Sequence, residues 1–381
     1  MDATISVFYI SNVNVWLRTA AAMTGSSENA AKRRTVPWLG FIETLRLSHL
    51  RLKGSIDPNY PWHRCDSKAF LNCRCSCQHL LSIRKVGPMK KVFHLSMLAL
   101  LFVSPQKEQV WTASIDQIRH AARMTPGKAP LRINVLKFAE SRRTKNFSVK
   151  GAPNEPSVQA RTVFQIVYDD GNVMVDSGMD QQVHNFFGRG VVEPYDADAA
   201  KEVERAVHGA RAILLTHEHG DHAAGVIHTP FANELAPKTI LTRDQVQTLL
   251  TNPQMPEIKL TPEAARRYNV VDYEKVLPFG PGVVLIKAPG HTPGSQMIYV
   301  VLASGREYLL IGDTAWHMDG VRNVRGKDAP WIQEDENALI AQLSWLNGLY
   351  KTEKNLFLIA SHDDEERADL IKRGILGNKL E

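Results

Sequence analysis

Residues 212–222 read AILLTHEHGDH, an apolar run of four residues followed closely by three histidines and an aspartate. The run at residues 212–215 has no polar position, which is typical of a strand buried on both faces of a sheet. Behind it come His217, His219, Asp221 and His222. So many imidazole and carboxylate groups would be costly to bury alone, whereas a bound metal ion would satisfy them. The stretch therefore predicts a metal site at the end of a buried strand.

Three more candidate ligands follow apolar runs that also look like strands. They are His291 after residues 283–287, Asp313 after residues 308–311 and His362 after residues 356–360. With the first four, these side chains suffice for two metal ions that share one carboxylate. Imidazole and carboxylate ligands without thiolate suit zinc, and also iron, manganese or cobalt.

The chain from about residue 131 alternates strand and helix signals, which indicates an α/β domain over residues 131–381. Residues 162–168 and 173–175 flank a DDGN turn, a pattern that predicts a β-hairpin. Thr242 with Gln245 predicts a capping box at the start of a helix. Leucines at 339, 343 and 346, with Tyr350, recur at the spacing of an amphipathic helix.

Composition excludes several classes of protein. Hydrophobic residues make up 44% and charged residues 23%, close to the globular average. The net charge of +6 comes from residues 1–88, which hold 12 Lys/Arg and 5 Asp/Glu, while the rest hold 34 and 35. The main domain therefore has no general attraction for nucleic acid. The longest apolar run, residues 97–103, is too short to span a bilayer, so no integral membrane protein is expected.

The N-terminal part is unlike the rest. Residues 1–88 contain all four cysteines but no periodic apolar pattern, and we expect a non-native or disordered extension. Residues 89–110 begin Met-Lys-Lys and continue with a mostly apolar stretch, which makes them a candidate signal peptide. A signal peptide implies a periplasmic or secreted protein. If the segment is instead an ordinary buried helix, the protein is cytoplasmic.

Five motifs resemble those of the metallo-β-lactamase superfamily, in the same order. Asp176 in VDSG comes first, then residues 217–222, then His291, Asp313 and His362. The resemblance covers about residues 131–381. It implies an αββα sandwich, with two mixed sheets face to face, helices outside and metals at one edge.

The resemblance also implies a ligand set. One metal ion would take His217, His219 and His291, and the other would take Asp221, His222 and His362. Asp313 would bridge the two ions. Asp176 would hold the metal loop without being a ligand.

The activity that the resemblance implies is that of a dinuclear zinc-dependent hydrolase acting on a small molecule. A metal-bridging hydroxide would attack an ester, lactone or phosphotriester, and Asp221 would shuttle the proton. A homo-oligomer remains open. The chain looks most like the lactonase and organophosphate-hydrolase branch, because true β-lactamases usually have Cys or Ser where Asp313 stands. Alternatives are a β-lactam hydrolase, a thioesterase, or an oxidoreductase similar to the mononuclear-iron persulfide dioxygenases.

One position departs from the lactonase pattern. Lactonases usually have a tyrosine three residues after the bridging aspartate, where this chain has Trp316. An indole can donate one N–H but cannot act as an acid. We expect Trp316 and Phe187 to line an apolar substrate pocket.

Overall fold

The computed structural model describes residues 111–381. The expected N-terminal extension and the candidate signal peptide lie outside these residues, so both stay predictions. Among the described residues, no helix is both long and apolar enough to cross a membrane.

The first sheet has six strands, which lie side by side in the order of the chain. The strands are β1 (Arg132–Thr144), β2 (Pro156–Tyr168), β3 (Gly171–Val175), β4 (Ala212–Leu214), β5 (Thr239–Thr242) and β6 (Asn269–Val271). The first three pair antiparallel and the last three continue the sheet in parallel, so β4 has parallel neighbours on both sides. The predicted hairpin is confirmed as β2 and β3.

The second sheet has five strands, again in chain order along the sheet. The strands are β7 (Val276–Gly280), β8 (Val283–Lys287), β9 (Gln296–Val301), β10 (Glu307–Leu310) and β11 (Leu356–Ile359). Strands β7 to β10 pair antiparallel, and β11 pairs parallel with β10.

The two sheets stack face to face because their strands are apolar on both faces. Leu214 of β4 and Leu285 of β8 belong to the core between the sheets. Val284, one residue earlier, points to the opposite face and packs under helices of the second sheet. A third apolar cluster fills the outer face of the first sheet, and includes Ile213. The αββα sandwich expected from the sequence is confirmed.

Helices cover the outer faces. They are α1 (Ile115–Ala122), α2 (Lys145–Ser148), α3 (Gln181–Gly188), α4 (Ala197–Gly209), α5 (Gly220–Ile227), α6 (Ala232–Leu235), α7 (Arg243–Thr251), α8 (Pro262–Ala265), α9 (Met318–Asn323), α10 (Glu336–Thr352) and α11 (Asp364–Lys372). The Thr242–Gln245 capping box is present at the start of α7.

Two details differ from the sequence-based expectation. Helix α1 packs on the second sheet, so the folded domain begins upstream of residue 131. Tyr350 was expected on the buried face of α10, but it is 42% exposed. The guanidinium carbon of Arg322 instead lies 5.5 Å from the centroid of the Tyr350 ring.

Candidate metal centre

The topology brings the four ligand-bearing loops to one edge. Strands β8, β10 and β11 run in the same direction, because β8 and β10 are both antiparallel to β9 and β11 is parallel to β10. Their carboxyl ends therefore share one edge of the second sheet, where His291, Asp313 and His362 follow. The loop after β4 brings the remaining ligands from the first sheet. All seven predicted metal ligands lie together in this region.

The first ligand group consists of His217, His219 and His291, whose ligand atoms lie within 4.8 Å of one another. His219 Nδ1 is 3.0 Å from His291 Nε2. His217 and His291 are nearly inaccessible to solvent, and His219 is half-buried.

The second ligand group consists of Asp221, His222 and His362. The Nε2 atoms of both histidines are 3.4 Å from Asp221 Oδ2. These two Nε2 atoms are also 3.4 Å from each other.

Asp313 lies between the two ligand groups. Its Oδ2 faces the first group, at 3.4 Å from His291 Nε2 and 3.7 Å from His217 Nε2. Its Oδ1 faces the second group, at 3.1 Å from His362 Nε2 and 3.5 Å from His222 Nε2. Oδ2 is also 3.2 Å from His362 Nε2 of the second group. The carboxylate therefore borders both groups, as a bridging ligand must.

The ring nitrogens themselves test whether cations fit here. His222 Nδ1 donates to Asp176 and His362 Nδ1 donates to the carbonyl of Ala160. Their Nε2 atoms lie 3.4 Å apart and both face Asp221 Oδ2, so a cation, either a metal ion or a proton, must lie among them. Among the described residues, buried His217 Nε2 and Asp313 Oδ1 have no hydrogen-bond partner. A divalent metal ion in each group would satisfy these atoms.

Asp176 holds the metal loop from behind. It follows β3 with φ of 63°, a left-handed conformation that is rare for a residue with a Cβ. Its carboxylate accepts hydrogen bonds from the Thr216 backbone N–H at 2.7 Å and from His222 Nδ1 at 2.8 Å. The backbone strain is offset by these bonds, which orient His222 with Nε2 toward the centre.

Burial and charge set the protonation of the ligands. Burial lowers the pKa of His219 to about 4 and holds those of His217 and His291 well below the usual value. These imidazoles are neutral at neutral pH, which is the form that binds a metal. Burial opposes ionisation of Asp313, but His362 and His222 outweigh it and hold the pKa of Asp313 well below its usual range.

A buried ion pair that was not predicted from the sequence supports the first ligand group. Glu334 Oε1 accepts from His291 Nδ1 at 2.5 Å and pairs with Lys327 Nζ at 2.8 Å. Lys327 Nζ in turn donates to the backbone carbonyl of Asp313 at 2.6 Å. The pair therefore ties the His291 ring to the turn that carries Asp313.

Arg161, in β2, is another residue of the site that was not predicted from the sequence. Its side chain is only 8% exposed, and its Nη1 forms an ion pair with Asp221 Oδ2. Burial opposes ionisation of Asp221, but Arg161 and His222 hold its pKa well below the usual range. Arg161 lies on a strand, outside the loop motifs that supply the candidate ligands. No local sequence pattern therefore indicates it.

The two expected pocket residues lie at different depths. Trp316 is buried, and its Nε1 donates to Asp313 Oδ2 at 2.6 Å. Its ring also stacks on Phe147, with centroids 5.6 Å apart. Phe187 is separated from the ligands by Arg161, whose guanidinium lies 4.9 Å from the Phe187 ring centroid. Trp316 therefore contacts a candidate ligand directly, whereas Phe187 lies behind Arg161.

Comparison with known proteins agrees with this geometry. The sequence model of the metallo-beta-lactamase superfamily matches residues 158–341. Those residues are a metallo-beta-lactamase superfamily domain. The matched segment carries six of the seven candidate ligands, and the seventh, His362, follows it. The chain therefore contains a domain of this superfamily and is a metal-dependent hydrolase.

Two curated relatives and two solved structures are similar over most of their own length. An N-acyl homoserine lactonase of Bacillus thuringiensis is 23% identical over 213 residues, 52% of this chain and 80% of the relative. One from Bacillus sp. is 24% identical over 215 residues, with the same coverage. A crystal structure of a quorum-quenching N-acyl homoserine lactone lactonase has a TM-score of 0.51 at 18% identity, covering 65% of this chain and 97% of that one. A probable metal-dependent hydrolase from Staphylococcus aureus has a TM-score of 0.50 at 14% identity, covering 63% and 91%. At these identities the structures show the shared fold.

Proposed function

We propose that the protein is a dinuclear zinc hydrolase that cleaves a carboxylic ester, lactone or phosphotriester of a small molecule. The observation that carries the proposal is the position of Asp313, whose carboxylate is 3.4 Å from His291 Nε2 of the first ligand group and 3.1 Å from His362 Nε2 of the second. One ion would be held by His217, His219 and His291, and the other by Asp221, His222 and His362, with Asp313 common to both.

Two divalent ions in such a site supply a water-derived nucleophile at neutral pH and polarise the carbonyl or phosphoryl oxygen under attack. The protein's own task is to hold the groups still. Asp176 and Glu334 fix the rings of His222 and His291, and the Ala160 carbonyl fixes His362. Such supporting contacts typically matter 10- to 100-fold for metal affinity or activity.

We propose that Asp221 carries the proton to the leaving oxygen. Because Arg161 stabilises its ionised form, Asp221 is protonated only briefly and helps a poor leaving group little. Trp316 stands where lactonases usually have a tyrosine, and its indole N–H donates to Asp313. An indole cannot act as an acid, so Trp316 cannot protonate the leaving group either. Both features favour substrates with good leaving groups, such as aryl esters and phosphotriesters, over unactivated lactones.

A mononuclear iron oxidoreductase is the second candidate class. It would use the first ligand group and has no role for Asp221 and His362 together. The assembled second ligand group therefore favours the hydrolase.

A hydrolysis screen tests the proposal. The purified zinc-loaded protein is assayed against an N-acyl homoserine lactone, an aryl acetate, a phosphotriester, a thioester and a β-lactam. Turnover of the first three classes, abolished by chelation and restored by zinc, is expected. Turnover restricted to the β-lactam or the thioester would replace the proposed substrate class, and oxygen consumption with a persulfide would replace the reaction.

A further inference from the structure

Arg161 is paired with Asp221, the carboxylate that a metal ion in the second ligand group would need. Its Nη1 forms an ion pair with Asp221 Oδ2 and lies 3.5 Å from His362 Nε2. A guanidinium stays charged at every accessible pH, so it cannot become neutral to admit a second cation.

The guanidinium is also held in place. Nη2 donates to the hydroxyl of Ser141, in β1, at 3.1 Å, and Ser141 is fully buried. The ring of Phe187 lies against the guanidinium, 4.9 Å from centroid to Cζ. Arg161 therefore has partners on two sides that oppose its withdrawal from Asp221.

The first ligand group is different in charge. The nearby buried cation, Lys327, donates to the backbone carbonyls of Asp313 and Thr314 and pairs with Glu334. Glu334 balances the charge of Lys327, and Lys327 contacts Asp313 only through the backbone carbonyl oxygen. The positive charge of Arg161, in contrast, is balanced by Asp221, itself a ligand.

We propose that Arg161 makes the two metal positions unequal, so that zinc fills the first ligand group tightly and the second ligand group much more weakly. A second ion must share Asp221 with the guanidinium and approach its charge closely. The inference rests on the two-metal assignment of the proposed function, and it adds an order of filling that this assignment alone does not require.

The experiment measures zinc occupancy, not activity. The full chain is stripped with chelator, equilibrated in a series of zinc buffers of defined free concentration, and its bound zinc is counted. Two binding steps are expected, separated by on the order of 100-fold in free zinc concentration. A separation of this order is expected because the Arg161 charge lies a few ångströms from the second ion at a moderately screened site.

Variants assign the separation to Arg161. Arg161→Gln removes the charge, and should tighten the second step by about tenfold or more while leaving the first within about twofold. Arg161→Lys keeps the charge and should keep the second step weak. Arg119→Gln is the matched control, because the partly buried Arg119 pairs with Glu307 and Glu353 and contacts none of the seven candidate ligands in the described contacts. It should leave both steps unchanged.

Thermal melts of the stripped variants show which of them fold. If Arg161→Gln does not fold, Ser141→Ala decides instead, because it frees the guanidinium from its tether and should shift the second step in the same direction. Two wild-type steps that coincide, or a second step that neither variant shifts, would overturn the inference and leave the dinuclear site intact. Binding of only one ion at any zinc concentration would instead refute the two-metal function itself.

Discussion

Replacing Glu334 by glutamine tests how the protein supports its first ligand group. Glu334 is the carboxylate partner of both His291 Nδ1, at 2.5 Å, and Lys327 Nζ, at 2.8 Å. Glutamine keeps an acceptor oxygen of similar shape but loses the charge. A hydrogen bond to a charged group contributes roughly 1.5–3 kcal/mol, whereas a neutral one contributes roughly 1 kcal/mol. The orientation of His291 should therefore weaken by about 1–2 kcal/mol.

That loss should appear as about a tenfold lower affinity for the first zinc ion, at the lower end of the usual effect of such partners. The free energy of unfolding of the metal-free protein should also fall, by roughly 3 kcal/mol or more, because Lys327 remains buried beside a neutral partner. Zinc-buffer titration measures the first effect, and urea unfolding measures the second.

Glu336→Gln is the control. Glu336 begins α10 and pairs with Lys150 on the surface, where both side chains are at least 60% exposed. Exposed pairs contribute little, so this variant should match the wild type. If Glu334→Gln binds its first zinc within about twofold of the wild type, or if Glu336→Gln loses as much, the assigned support of His291 is wrong.

Three further predictions concern substrate choice, pH and chain length. Trp316→Tyr restores a phenol beside Asp313 and should raise kcat/KM for a lactone relative to an aryl ester; an unchanged ratio would mean that this side chain does not reach the reacting group. In the metal-free protein, His219 has its pKa lowered from 6.5 to about 4, so the unfolded chain binds more protons between these values. The free energy of unfolding should thus fall from pH 7 to pH 5, and urea titrations that show equal or greater stability at pH 5 would contradict this. A chain that begins at residue 111 should melt and hydrolyse like the full chain, whereas loss of folding would show that residues 1–110 contribute to the fold.

The fold could be predicted largely because its signals are local. Apolar runs mark β4, β8, β10 and β11 within one or two residues of their true ends, and a candidate ligand follows each strand after a short turn. The Asp-Asp-Gly-Asn turn and the Thr242 capping box are likewise decided by neighbours within four residues. These features need no knowledge of the tertiary structure.

The supporting residues could not be predicted, because their contacts are distant in sequence. Glu334 lies 43 residues after His291, and Arg161 lies 60 residues before Asp221. Nothing in the composition of β2 or of the loop around Glu334 indicates which side chain turns inward. Strand β1 was not predicted either, because its second half carries charged residues such as Arg142 and Arg143, which are more typical of a loop.

Metal content with and without Asp313 tests the central claim most directly. Elemental analysis of zinc-loaded wild-type protein should give close to two equivalents. Asp313→Ala removes the carboxylate that faces both ligand groups, and should lower the metal content and the rate of aryl ester or lactone hydrolysis together. Wild-type protein that holds a single tightly bound iron, combined with full activity in Asp313→Ala, would contradict the dinuclear hydrolase.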